Sequence, residues 1–393
     1  MKTNLFCERC ERTTQDGHLY CQDRTCPVEE GWPIFGYGDY LSDLKITRLI
    51  SVWRTAALYE AERGGEKNKQ TVWVKVAHST PECENRLREE ALYLQDRLKS
   101  VAPPPKKGVA KLIASFSPAP RREVLLQLLP ASPLRQKSPF GETTVNGLSR
   151  VFCVYAALQG ATLRQALLEN PQVWHYEAAW ATLVIAHALR TQVADKRLHL
   201  SLTPSIIYIY TDDEGHWRPT LLDLGWLWQP PAKEQSNSVM ALYSRFDPAY
   251  TAPEVMADKR GSGLSLSADV YSLGLVYFEM LAGRPGVPQH WRRDELLIRD
   301  VIDTARKQQR LPIDQDKFRP ELTQSGVVTL LEKALGVQER LPSITQFVDS
   351  LARVYGNPPP EKRKVPIKLY ILAGVIGLAL LAVLVAVVAA TRG

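Results

Sequence analysis

Cysteine is scarce in this chain and unevenly placed: there are six among 393 residues, and four of them fall at Cys7, Cys10, Cys21 and Cys26. That distribution excludes the evenly stapled framework of a small secreted domain, and Cys83 and Cys153 stand as isolated thiols. The first residues lack the apolar run of a signal peptide. Basic residues are nowhere dense enough for a dedicated nucleic-acid binder, since the net charge is only +7 and the one cluster is Lys362, Arg363, Lys364 and Lys368. Charged residues at 23% and hydrophobic ones at 45% exclude a disordered chain. The length suffices for one large core or for two to three domains.

What is present begins with Cys7-x2-Cys10, ten intervening residues, and Cys21-x4-Cys26. Two close thiol pairs on tight turns can supply four sulfurs to a tetrahedral, structural zinc. His18 could replace one sulfur, and two disulfides or unrelated thiols are the alternative. So short a segment cannot build a core, so metal affinity would be its folding energy, of order 10 kcal/mol. Near these thiols Arg9, Arg12 and Arg24 face Glu8, Glu11, Asp16 and Asp23. That balance leaves no electrostatic footprint for nucleic acid. The segment resembles the small zinc ribbons that precede many bacterial regulatory proteins.

The stretch 198–209 reads as a turn centred on Pro204 followed by a β-branched strand. A polar hairpin at 212–215 and a second apolar strand follow, ending in Asp223-Leu224-Gly225. This closely resembles the catalytic loop and metal loop of protein kinases, H-R-D-L-K-P-x-N followed by D-F-G. Val72-Trp73-Val74-Lys75-Val76 resembles the strand that carries the ATP-binding lysine, which makes Lys75 its counterpart. Residues 82–98 have helical spacing, with Leu87, Ala91, Leu94 and Leu98 on one face. By the same resemblance this is the C-helix, with Glu90 as the partner of Lys75 and Glu89 as the alternative.

Further along, Gly160-Ala161-Thr162-Leu163 resembles the interlobe hinge, and helices are expected at 163–169 and 175–194. Pro248-Ala249-Tyr250-Thr251-Ala252-Pro253-Glu254 is similar to the ending of an activation loop spanning 223–254. Asp269 matches the residue that braces the catalytic loop, and Arg340 the one that pairs with Glu254. The resemblance covers about residues 41–356 and is closest to bacterial serine/threonine kinases of the eukaryotic-like type.

The resemblance implies an α+β, two-lobed kinase-like fold; the zinc ribbon is expected before it and one transmembrane helix after it. The ribbon is placed at 1–30, a linker at 31–40, the small lobe at 41–158 and the large lobe at 159–356. Strands are expected near 109–115 and 123–129, then an inserted loop of about twenty residues over 130–150, then a strand at 151–158. A basic linker follows at 357–370. Residues 371–390 carry no polar side chain, and such a helix spans about 30 Å, the hydrocarbon thickness. The basic cluster on its N-terminal side would place the kinase-like domain in the cytoplasm. Only three residues would remain outside, too few for an external sensor domain. Small residues at Ala373/Gly377 and Ala382/Ala386/Ala390 could pair two copies.

The chemistry departs from the pattern. Ser201 stands where the resemblance places the catalytic Asp, Thr203 where it places the Lys, and Ile206 where it places the metal-binding Asn. The three glycines of the phosphate loop become Ser51, Trp53 and Ala56, and Trp53 brings a large ring to a loop that needs bare backbone. The reading is a membrane-anchored pseudokinase, a scaffold or allosteric regulator, with Lys75, Glu90 and Asp223 left to hold ATP and magnesium. Its expected partner is another protein, a kinase or its substrate. The alternative is an active kinase with an unconventional loop, drawing on Asp195, Asp212 or Asp213 as the base.

Overall fold

The structure is a computed structural model. It describes residues 4–6, 13–14, 32–64, 68–99, 125–131, 138–171, 173–194, 197–211, 217–228, 247, 249–257, 264–283, 326–336 and 339–355. Cys7, Cys10, Cys21, Cys26, the strand expected at 109–115, the carboxylates Asp195, Asp212 and Asp213, and the apolar run 371–390 all lie outside the described residues.

Three short strands, β1 (Asn4–Phe6), β2 (Thr13–Thr14) and β3 (Trp32–Ile34), form an antiparallel sheet in the order β2-β1-β3. Phe6 pairs with both Thr13 and Trp32. Residues 32–40 of the linker expected at 31–40 are therefore largely built into the fold. β3 completes this sheet, Ile34 and Phe35 are buried in the small-lobe core, and β4 (Tyr40–Leu41) joins the next sheet.

The small lobe is an antiparallel sheet in the order β4-β5-β6-β7-β10-β8, with β9 on the flank of β10. Its strands are β5 (Leu44–Val52), β6 (Ala56–Arg63), β7 (Gln70–Ala77), β8 (Leu128–Leu129), β9 (Gly141–Val145) and β10 (Leu148–Ala156). The expected loop over 130–150 is corrected here, because 141–156 is a hairpin. Asn146 and Gly147 both take positive φ, 54° and 76°, the geometry of a two-residue turn whose twist matches the strands it joins.

β7 is buried on both faces, and its period of two sorts the side chains. Val72, Val74 and Val76 join Leu44, Ile46, Phe152 and Val154 in an outer cluster. Trp73, Lys75 and Ala77 face the other way, towards α1 (Pro81–Lys99) and the lobe boundary. Pro81 suits the first helical position, Glu82 and Glu84 complement the helix dipole, and the Thr80 hydroxyl accepts from the Cys83 N–H at 3.4 Å. Cys83, Leu87, Ala91 and Leu94 are buried along the inner stripe of α1.

The large lobe holds a three-stranded sheet of β11 (Ala161–Thr162), β12 (Ile207–Thr211) and β13 (Trp217–Leu221). Its described helices are α2 (Leu163–Glu169), α3 (His175–Ala194), α4 (Pro253–Ala257), α5 (Ser267–Ala282), α6 (Val327–Leu335) and α7 (Ile344–Tyr355). Thr162 and Gln165 start α2 with a reciprocal capping box. One apolar core joins α3, α5, α6 and α7 to the sheet. The small-lobe core crosses the boundary as well: Tyr208, Leu222, Leu224 and Leu227 of the large lobe are buried in the same cluster as Trp73, Leu87 and Tyr155.

Candidate functional site

The site lies where β7, α1 and the end of β13 meet. Lys75 projects from the inner face of β7, and its Nζ lies 2.7 Å from both oxygens of Glu90 on α1. Glu89, the alternative partner, is exposed. The same Nζ lies 2.7 Å from Asp223 Oδ2, two residues beyond β13, and donates to the Leu222 carbonyl at 3.2 Å. One turn before Glu90 on α1, Arg86 donates from Nη2 to Glu90 at 3.1 Å and to Asp223 Oδ1. Lys75, Arg86, Glu90 and Asp223 are all at most 3% exposed.

Two cations and two carboxylates thus cancel inside the protein. Burial alone would raise the Asp223 carboxyl, but the Arg86 and Lys75 charges outweigh it and hold the group well below its ordinary range. Burial opposes the charge on Arg86, and Asp223 and Glu90 more than restore it. The Tyr155 hydroxyl adds a donor to Glu90 at 3.1 Å.

Trp53 completes the cluster from above. Its indole Nε1 donates to Asp223 Oδ2 at 2.8 Å, and Lys75 Nζ lies 5.3 Å from the ring centroid. Asp223 Oδ1 also accepts from the Gly225 N–H at 2.8 Å. Both oxygens of Asp223 are therefore taken by the chain's own donors, and this arrangement leaves no acceptor free for a magnesium ion. Ser51, near the end of β5 and two residues before Trp53, donates to the Ser205 carbonyl at 3.2 Å and ties this end of the hairpin to the large lobe.

Behind Trp53, the Trp73 ring on β7 meets the Tyr208 ring on β12 edge to face, with centroids 4.6 Å apart. Both rings are at most 1% exposed. The two lobes meet here without a gap.

The loop beneath is held from the large lobe. Asp269, at the start of α5, accepts the N–H groups of His199 and Leu200 at 2.9 and 2.8 Å. Those bonds fix Leu200 at φ 60°, a left-handed conformation that is costly for a branched side chain. His199 Nδ1 accepts from the Ser201 N–H at 3.3 Å, so Nε2 carries the proton and donates to the Asp223 carbonyl at 3.1 Å. Burial pushes the His199 pKa down, in keeping with that neutral tautomer. Gly225 has φ 66°, and a Cβ there would clash with the His199 carbonyl. Ile206 is buried in the large-lobe core and offers no ligand.

No family model matches the chain. It is 27% identical over 188 residues to "Kinase and exchange factor for Rac B" of Dictyostelium discoideum, covering 46% of this chain and 16% of that one. It is 29% identical over 166 residues to "Serine/threonine-protein kinase PkaA" of Streptomyces coelicolor, covering 42% and 28%. It is 30% identical over 135 residues to "Aurora kinase" of Dictyostelium discoideum, covering 34% and 32%. The chain thus spans less than a third of each of these relatives. Two solved structures of the Mycobacterium tuberculosis PknI kinase domain align at TM-scores of 0.48 and 0.46 and 16% identity, each covering 82% of this chain and 100% of that one.

The chain is a kinase-like protein related to serine/threonine kinases.

Other motif residues of the kinase-like chain fall into a shared frame. Arg340 donates to Glu254 on α4, and the Ser272 hydroxyl on α5 donates to the Tyr250 carbonyl at 2.8 Å. Glu279 of α5 accepts from both Arg164 of α2 and the Tyr250 hydroxyl. Among the described residues no group of three or more His, Cys, Asp and Glu side chains could hold a metal, and no helix is long and apolar enough to cross a membrane.

Sequence reasoning brought Lys75, Glu90, Asp223 and Ser201 to this region but missed Arg86, Tyr155, Trp73 and Tyr208. The i,i+4 spacing of Arg86 and Glu90 was a usable signal, since both project from one helix face. Nothing local marked Trp73 and Tyr208 as neighbours, because their contact depends on how the lobes meet.

Proposed function

We propose that this chain is a pseudokinase, a scaffold or allosteric regulator whose cleft is closed by its own side chains. One observation carries the reading: Asp223, the carboxylate the kinase resemblance assigns to metal, is already engaged by Lys75, Arg86 and Trp53. A metal ion would have to displace an indole donor and a buried guanidinium. The Trp73–Tyr208 contact supports the same reading, because a base cannot lie between rings that already touch. The arrangement does not fit magnesium–nucleotide, so no transfer step is derived from it.

The altered loop agrees. Ser201 takes the place of the general base, and a hydroxyl is a poor proton acceptor at neutral pH. Losing a positioned base costs roughly 10²–10⁴ in rate. What the fold retains is a two-lobed surface suited to docking another protein, a kinase or its substrate.

The chain's other segments complete the proposal. Residues 371–390 anchor it in the membrane with the kinase-like domain in the cytoplasm. Cys7, Cys10, Cys21 and Cys26 hold a structural zinc. The pairing of Phe6 with both Thr13 and Trp32 supports four thiolates converging, because it puts the chain's exit towards Cys7 and its return after Cys26 at one end of the sheet. Zinc there would supply folding energy rather than chemistry.

Radiolabelled ATP tests the reading on the full chain. The expectation is no phosphate transfer, to the chain itself or to a generic substrate, beyond that of Asp223→Ala. Transfer abolished by Asp223→Ala would show a working enzyme.

A further inference from the structure

The ring of Trp53 in the cleft is held from outside as well as from within. Its backbone N–H donates to the Ala56 carbonyl at 3.0 Å. Its own carbonyl lies 2.7 Å from His78 Nε2. A carbonyl can only accept, so His78 carries its proton on Nε2 and donates. The His78 backbone N–H donates to the Thr55 carbonyl at 3.0 Å. His78, the first residue after β7 and 5% exposed, therefore grips the 53–56 turn at two points.

The outer face of His78 belongs to the N-terminal sheet. The Trp32 ring on β3 lies against the imidazole, with centroids 4.5 Å apart and planes 30° from parallel. Trp32 in turn pairs with Phe6 of β1. A continuous line of packed and hydrogen-bonded groups thus runs from β1 through Trp32, His78 and Trp53 to Asp223 at the end of β13.

We propose that the N-terminal sheet sets the state of the cleft, with Trp32 and His78 acting as positioning residues that keep the Trp53 indole on Asp223. The bistable element is the tip of the β5–β6 hairpin, residues 51–56. Seated, it places Trp53 on Asp223 and Ser51 on Ser205; lifted, it leaves Asp223 to Lys75, Arg86 and the Gly225 N–H. Whatever orders or displaces β3 shifts that balance, and by linkage whatever enters the cleft shifts β3 in return. The inference rests on the reading that Trp53, and not a nucleotide, fills the cleft.

Amide hydrogen exchange on the full chain reads both ends. The Leu224 and Gly225 amides, bonded to Glu90 and Asp223 at 3.4 and 2.8 Å, report the cleft, and the α5 amides report overall folding. Trp32→Ala and His78→Ala should each speed exchange at Leu224 and Gly225 by about tenfold, the scale of one lost buried hydrogen bond, with α5 unchanged. His78→Gln, which keeps a donor, should restore part of the protection. In a Trp53→Phe background, which removes the indole N–H, Trp32→Ala should add little at Leu224 and Gly225. Faster exchange confined to 32–35 and 53–56 would overturn the proposal. So would additivity of Trp32→Ala with Trp53→Phe, whether or not α5 is also affected, because coupled residues must be non-additive. Phosphate transfer by the wild-type chain would end the pseudokinase reading without changing these exchange patterns, so the two failures are distinct.

Discussion

The joint beneath the loop and the cleft above it use the same kinds of residue to different ends. Below, Asp269 holds two backbone N–H groups, Arg340 pairs with Glu254, and Ser272 holds the Tyr250 carbonyl. Each is a polar side chain fixing main chain or a neighbouring segment, and the first two are contacts the kinase resemblance implies. Above, Lys75, Glu90 and Asp223 are also retained, yet they are joined by Arg86 and Trp53 into a neutral buried cluster. Once a charge is buried in such a cluster, removing its partner is costly whether or not any chemistry depends on it. A retained lysine, glutamate and aspartate are then explained by stability, and their presence is no argument for phosphate transfer.

The comparison can be pressed hardest at the rings. If the lobe boundary is packed core, Trp73→Ala should cost about 3–5 kcal/mol in urea unfolding, as for other buried aromatic truncations. A loss below about 1 kcal/mol would mean that the ring borders an open, hydrated cleft. Next comes the cluster itself. Arg86→Met strands Asp223 and Glu90 with one cation and should destabilise the chain by about 3 kcal/mol. Combining it with Asp223→Asn should recover part of that loss, because the surplus negative charge is removed with the cation. Strict additivity of the two would contradict a shared cluster.

The loop supplies a smaller effect with a defined pH window. The His199 pKa is lowered by burial, so below about pH 6.5 the unfolded chain takes up a proton that the folded chain refuses. Stability should therefore fall as pH drops from about 6.5 to 5, by at most about 1.4 kcal/mol per unit for that residue. His187, also lowered by burial, has the same sign. Asp223, held low, keeps its contribution until the pH falls below its unfolded value near 4, so its window does not overlap. Melting temperature against pH should flatten in part, not wholly, in His199→Gln. An unchanged slope would mean that His199 titrates freely in the folded chain.

Local patterns carried much of the fold. Helices at 163–169 and 175–194 coincide with α2 and α3, and the apolar stripe of Leu87, Ala91 and Leu94 is the buried face of α1. The hairpin at 141–156 was legible too, since Asn146-Gly147 is a strong turn signal, but nearby prolines made the region look like one long loop. What could not be read was whatever depends on distant segments meeting. Trp53 and Asp223 are 170 residues apart, and no periodicity connects them. Trp53 could be recognised as a misfit for phosphate, yet not as a donor to that carboxylate. Tyr208 read as one more strand residue, although its ring closes the boundary between the lobes.

The most direct test is thermal stability of the full chain with millimolar ATP and magnesium. A ligand that binds only the folded state raises the melting temperature by mass action, by an amount set by its concentration over Kd. With Asp223 engaged by Arg86, Lys75 and Trp53, the melting temperature should be the same with and without nucleotide. A nucleotide- and magnesium-dependent rise that vanishes in Asp223→Ala would contradict a cleft closed by its own side chains.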